Sequence, residues 1–276
     1  MTDTIIPHAD NTCITCGTKL KGNYCWKCGE KKLNPAKDYA LYKFIEQTVD
    51  GFTHFDSKFL RSFKALLFRP GFLTSEFILG RRTLYMKPVQ IFIVASVLFY
   101  FVFPTGSTFY SSVSNMRDGN ILKYNVNESL QKRADADGIS IEAAIKSTNV
   151  EAAHRSKAYL FLIIPFWGIA FYFLFFNRIP FLVPHVVFAI HNLAFCILLF
   201  LTYLSGFQLF GKGDVNDYEI LPLVGIFLIY TFIAIRKVYQ QNIFWSAVKC
   251  LISLGVFLLL FIVYRQLITA WALSAY

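Results

Sequence analysis

Residues 184–206 read PHVVFAIHNLAFCILLFLTYLSG, twenty-three positions without an aspartate, glutamate, lysine or arginine. Rising about 1.5 Å per residue as α-helix, such a stretch crosses a hydrocarbon core about 30 Å thick. Comparable apolar runs cover approximately 88–106, 158–177, 220–236 and 243–264. No water is present in the bilayer core to satisfy the backbone, so each run must close its hydrogen bonds internally as helix. The fold class is therefore mainly α, a polytopic α-helical membrane protein with about five transmembrane helices. The run at 220–236 is slightly short, and 243–264 must carry the ammonium of Lys249 toward an interface.

Composition agrees with this reading. The 276 residues are 55% hydrophobic and 18% aromatic, with only 16% charged, which is too apolar for a soluble domain of this size. Residues 1–40 contain no apolar core of a cleaved signal, so the first span is expected to serve as an uncleaved anchor. Fourteen of the 27 lysines and arginines precede it, Arg178 follows the second span, and Arg236 and Lys237 follow the fourth. Segment 107–157 carries seven basic against six acidic residues, and link 207–219 sets Lys212 against Asp214, Asp217 and Glu219. The excess of positive charge predicts a cytosolic N-terminus and an outer-side 107–157. That segment shows a helical pattern around Leu130, Ile139, Ile141 and Ala144, broken at Asp137-Gly138.

Ahead of the spans stand Cys13-Ile-Thr-Cys16-Gly17 and Cys25-Trp-Lys-Cys28-Gly29. Each Cys-x-x-Cys pair is a tight turn that aims two thiolates at one ion, and the glycine behind it relieves backbone crowding. Eight residues separate the pairs, enough for a hairpin but too few for a core, so metal binding and folding are expected to be one event. Two disulfides, a redox dithiol or a rubredoxin-like iron site would use the same residues. A cytosolic setting keeps thiols reduced, and neither pair lies in a thioredoxin-like strand and helix. The spacing favours Zn²⁺ on Cys13, Cys16, Cys25 and Cys28. Cys196 and Cys250, inside apolar runs, read as small buried hydrophobes.

Three parts follow: a cytosolic zinc ribbon over 1–34, amphipathic interfacial helices over 35–87, and a transmembrane bundle over 88–276. In the middle part apolar residues recur at helical spacing through Leu41, Phe44, Ile45 and Phe52, then Phe59, Phe63 and Leu66. Asp56 or Ser57 would cap the second helix, Arg69-Pro70-Gly71 would end it, and a third apolar turn runs from Phe72 to Leu79. Basic residues accompany this material, as expected beside an anionic leaflet. Arg81, Arg82, Tyr85 and Lys87 are candidates for a lipid headgroup site. No internal repeat of fixed period is apparent.

Polar side chains within a span are costly, and they mark either function or ties between helices. The third span carries His185, His191 and Asn192, for which interhelical bonding is the simpler role. No carboxylate lies in a confident span, which argues against an ion-coupled carrier. His54 and Asp56 are the nearest approach to an acid–base pair, with no second ligand cluster beside them. No phosphate-binding glycine loop, nucleophile elbow or dinucleotide fingerprint occurs, and no catalytic residue is assigned.

The second knuckle Gly22-Asn23-Tyr24-Cys25-x-x-Cys28-Gly29-Glu30, then Arg69-Pro70-Gly71, then Gly80-Arg81-Arg82-x-x-Tyr85-x-x-Pro88, together resemble a bacterial membrane family called domain of unknown function 3667. The resemblance covers the first hundred residues. It implies a zinc-ribbon head, an interfacial segment and four or five spans in a bacterial inner membrane, with Pro70, Gly71, Gly80, Arg81, Tyr85 and Pro88 as a juxtamembrane signature. Glu30 stands where the family more commonly carries glutamine. The family name carries no activity.

A strong metal site without catalytic clusters points to a non-catalytic scaffold, assembly or regulatory protein whose ribbon offers a protein-binding surface, with Tyr24 and Trp26 as contact residues. The alternative is a lipid-binding or lipid-modifying protein using Arg81, Arg82, Tyr85 and Lys87, and a small transporter or channel ranks third. Expected partners are anionic membrane lipids and a cytosolic or membrane protein, with homo-oligomerisation open. The net charge of +10 is accounted for by the inner-face belt rather than by nucleic acid.

Overall fold

A computed structural model describes residues 11–49, 58–103, 109–118, 125–209 and 221–274. The helices are α1 (Pro35–Asp38), α2 (Leu41–Val49), α3 (Lys58–Phe68), α4 (Phe72–Leu79), α5 (Pro88–Val102), α6 (Val113–Asp118), α7 (Val126–Asp137), α8 (Ile141–Tyr159), α9 (Ile163–Phe175), α10 (Leu182–Leu209), α11 (Leu221–Tyr239) and α12 (Ile243–Ser274). Among the described residues the only extended pairing is two isolated bridges, Thr12 with Lys19 and Tyr24 with Lys31.

Four stretches are long and apolar enough to cross a membrane: Ile141–Phe175, Leu182–Gly206, Leu221–Tyr239 and Ile243–Ser274. The first joins α8 to α9 through the 3-10 turn Leu160–Leu162. The fifth expected run is helical as α5, which at 15 residues is shorter. Contacts divide the chain into two units, Met1–Phe99 with Trp167–Leu254 and Tyr100–Phe166 with Gly255–Tyr276. The boundaries expected at 34 and 87 therefore fall inside one unit.

In the first unit, α3 is two-faced as its pattern requires. Ser62, Phe63, Ala65 and Leu66 are buried, while Arg61, Lys64 and Phe68 are exposed. Helix α4 departs from the interfacial expectation. Its sequence FLTSEFIL has no polar face, and Leu73, Thr74, Glu76, Phe77 and Ile78 are all buried, packed against α10 and α11. The end of α3 and the turn after it lie against α11: the Tyr230 hydroxyl donates to the Leu66 carbonyl at 2.7 Å. Gly71, at φ +73°, lies so close that a Cβ there would stand 2.8 Å from the Ala234 carbonyl oxygen.

The second unit holds a small core of its own. Asn125 and Ser140 cap α7 and α8 through side-chain oxygens, and Gly138 breaks the pattern at φ +63°, where the sequence expects the break. Val113, Met116, Val126, Leu130, Ala134 and Ala144 pack with Leu273 of α12. The buried guanidinium of Arg133 donates to Thr148 Oγ1 at 3.0 Å, Glu151 Oε2 at 3.1 Å and the Ala272 carbonyl at 3.0 Å. It thus satisfies a carbonyl near the α12 C-terminus that the helix itself cannot.

Gly71→Ala is expected to destabilise the detergent-solubilised protein by about 2–4 kcal/mol, combining a side chain at positive φ with overpacking against α11. Gly225→Ala, whose Cβ meets nothing within 4 Å, should leave the thermal midpoint unchanged or raise it slightly.

Candidate functional site

The two knuckles are copies of one loop at a 12-residue offset, a repeat not recognised in the sequence alone. Cys13 N–H donates to Thr18 O and Gly17 N–H to Cys13 O; Cys25 N–H donates to Glu30 O and Gly29 N–H to Cys25 O. Leu20 N–H to Asn11 O is matched by Lys32 N–H to Asn23 O. Gly17 and Gly29 sit at φ +72° and +73°, conformations that cost glycine little and other residues more. Asn11 and Asn23 at equivalent places were the available sequence signal.

This geometry gathers Cys13, Cys16, Cys25 and Cys28, whose sulfurs all lie within 4.8 Å of one another. The closest pairs, Cys13 with Cys28 and Cys16 with Cys25, stand 3.5 Å apart, far beyond a disulfide bond of about 2.05 Å. A tetrahedral ion with metal–sulfur bonds of about 2.3 Å places its sulfurs about 3.8 Å apart. The donor set therefore fits one metal ion. Hydrogen bonds from the Thr18 hydroxyl and backbone pull the Cys16 thiol down to about 6. At Cys28 the Glu30 backbone hydrogen bond favours the thiolate, but burial and the three neighbouring sulfurs outweigh it and push the thiol up to about 12.

A buried carboxylate fastens this centre to the juxtamembrane segment. Glu30 is 3% exposed, and its Oε2 accepts from the Thr15 hydroxyl at 2.9 Å, the Thr83 hydroxyl at 2.8 Å, and the Arg82 and Thr83 N–H groups at 3.2 Å. Arg81 adds a second fastening, from Nε to the Ile14 carbonyl at 3.2 Å and from Nη1 to Glu76 at 3.1 Å. A third joins Lys31 Nζ to Asp38 at 2.6 Å. Burial alone would raise the Asp38 carboxyl; hydrogen bonds from Lys31 and the Asn34 N–H, with the charges of Lys31 and Arg82, hold it below the ordinary carboxylate range. Sequence reasoning had given Glu30 no role and had missed Glu76, the one carboxylate inside the apolar FLTSEFIL.

The headgroup candidates converge. Arg81, Arg82, Tyr85 and Lys87 line a single cavity of about 160 Å³, and His191 of α10 joins them there. The guanidinium of Arg82 lies over the rings of Phe77 and Tyr39, at 4.2 and 5.8 Å. Burial lowers its pKa, opposed by nearby Tyr39, Asp38 and Glu30. Tyr85 packs edge-on against Phe72, and the Lys87 N–H donates to Gln90 Oε1, capping α5.

The other intramembrane polar residues tie helices together. His185 Nε2 donates to the Ile179 carbonyl at 3.0 Å, which fixes a neutral tautomer whose Nδ1 accepts from the Tyr239 hydroxyl at 2.9 Å. Asn192 donates to Phe188 O and accepts from Thr231 of α11, and His191 Nδ1 shares a 2.8 Å hydrogen bond with Thr74 of α4. Lys249 is absorbed the same way, donating to the Leu174 carbonyl near the end of α9. Cys196 and Cys250 are buried, and His54 and Asp56 fall outside the described residues.

Fold and site together define a multi-span helical membrane protein with a four-cysteine knuckle able to hold a metal ion and latched to its juxtamembrane segment. Residues 56–100 match the family described as protein of unknown function (DUF3667), a stretch that contains Pro70, Gly71, Gly80, Arg81, Tyr85 and Pro88. The cysteines lie outside the matched stretch, and no curated protein and no solved structure matches the chain.

Glu30→Ala is expected to cost about 2–3 kcal/mol by orphaning buried donors and to detach the knuckle, read as faster proteolysis of the N-terminal segment. Glu30→Gln keeps a carbonyl acceptor and should behave close to wild type. Because metal binding must displace the thiol protons, apparent metal affinity measured against a chromophoric chelator should fall from pH 8 to pH 5, by about tenfold per unit for each thiol still protonated.

Proposed function

We propose that the protein is a non-catalytic adaptor of a bacterial inner membrane, whose zinc-loaded knuckle presents a cytosolic face to another protein. The observation that carries this reading is the exposure of Tyr24 and Trp26, 65% and 69%, on a knuckle that Glu30 and Arg81 fasten to the segment after α4. Aromatic side chains lose little conformational entropy on docking and are enriched at protein interfaces. Spending two of them on solvent is otherwise unfavourable for so small a loop.

Zinc is the metal this reading assigns, since four thiolates in tetrahedral reach and no redox requirement suit it. The cytosolic side follows from the basic residues before α5 and at Arg178, Arg236 and Lys237. Helix geometry is consistent with the alternation of spans. Arg133 of α7 bonds Ala272 of α12, which requires an even number of crossings between them, and four long apolar stretches supply it.

Pairwise replacement separates the knuckle's shape from its surface. In full-length protein extracted from native membranes, Tyr24→Ala with Trp26→Ala should retain one metal per chain yet lose the cross-linked partner chain, by about tenfold or more for a pair of interface anchors. Cys25→Ser with Cys28→Ser should lose both metal and partner. Equal partner recovery from wild type and the aromatic double variant would refute the adaptor reading.

A further inference from the structure

Arg81, Arg82 and Lys87 line one cavity together with Tyr85 and His191. The rest of its lining is apolar, with Phe44, Leu73, Phe77, Met86 and Pro88. Among the described residues Glu76 pairs with Arg81 and Glu30 takes the Arg82 backbone N–H, and no carboxylate is among the residues that line the cavity. We propose that this cavity binds the phosphate group of an anionic amphiphile.

Charge, shape and position support the assignment. A planar guanidinium such as that of Arg82 matches phosphate oxygens two at a time, and the lysine adds a point charge. Both arginines are held before any ligand arrives, Arg81 by the Ile14 carbonyl and the Glu76 carboxylate and Arg82 over the Phe77 ring, so little ordering remains to oppose binding. The cavity's size limits what enters: roughly 150 Å³ suffices for a benzene-sized guest, so about 160 Å³ admits a phosphate and the first carbons of a chain, not a whole lipid. The remaining tail must lie outside, where Pro88 opens the apolar helix α5. A soluble phosphate metabolite would leave the five apolar lining residues unused. The site stands apart from the adaptor reading, because it uses neither Tyr24 nor Trp26.

The test is a native mass-spectrometric titration of full-length, metal-loaded protein in dodecyl maltoside micelles. The probes are dioleoyl phosphatidic acid, dioleoyl phosphatidylcholine and inorganic phosphate. Phosphatidic acid should bind at least about tenfold more tightly than phosphatidylcholine. Lys87→Gln should weaken it about fivefold, the loss expected for one surface-proximal charge, with metal content and thermal midpoint unchanged. Arg82→Gln should weaken it further. Should Arg82→Gln lose its metal, Lys87→Gln and His191→Gln carry the decision, since Lys87→Gln keeps the backbone N–H that caps α5. Equal binding of the two lipids, or wild-type affinity for phosphatidic acid in both Lys87→Gln and His191→Gln, would overturn the proposal. Inorganic phosphate binding where phosphatidic acid does not would assign the cavity to a soluble phosphate and overturn the amphiphile.

Discussion

Four hydrogen bonds converge on one oxygen of Glu30, and the arrangement of the juxtamembrane segment depends on them. A buried carboxylate without partners is costly enough to be expelled or protonated. Here the donors come from both sides of a chain separation of some fifty residues, Thr15 in the first knuckle and Arg82 and Thr83 after α4. The knuckle is too small to hold Glu30 in place by packing. What positions it is the turn that gathers the cysteines, closed at Gly29 by positive φ and, when loaded, by a metal. The same oxygen therefore links the four-cysteine cluster to the loop that carries Arg82, whose guanidinium lies over Phe77.

A second constraint runs through the helices. Four polar side chains placed among apolar neighbours meet specific partners on other elements: His191 with Thr74, Asn192 with Thr231, His185 with Tyr239, and Lys249 with the Leu174 carbonyl. Such bonds are individually worth about 0.6 kcal/mol in a membrane, too little to drive association. They select register instead, because a shifted helix would leave each group unsatisfied in hydrocarbon. Helix α4 benefits most directly, since one of its few polar residues is bonded to α10 while its apolar residues fill the space between α10 and α11.

The parts of this structure that were legible in the sequence are those whose cause is local. Apolar runs of spanning length located α9 through α12 to within a few residues at their starts, and Cys-x-x-Cys-Gly located both knuckles, because turn geometry and span length are set by adjacent residues. The remainder depends on contacts between distant positions. Helix α4 was grouped with interfacial helices because burial between α10 and α11 leaves no periodic trace in eight residues. Glu30 looked like a neutral exchange for glutamine, since an acceptor oxygen does the same work in either side chain. His191 and the Arg81–Lys87 stretch were read as separate candidates, and only the packing of α4 against α10 brings them to one cavity. The pairing of α8 with the last turns of α12, Arg155 donating to the Trp271 carbonyl among its bonds, joins residues more than a hundred positions apart and leaves no local pattern.

The latch between the knuckle and the juxtamembrane loop is tested most directly by amide hydrogen exchange at Arg82 and Thr83, whose N–H groups both donate to Glu30. In the metal-loaded protein these two amides should be strongly protected, and removing the metal with a chelator should release them together with Gly17 and Gly29 while α10 and α11 stay protected. Rapid exchange at Arg82 and Thr83 in the loaded protein, or protection that chelation leaves untouched, would contradict the account.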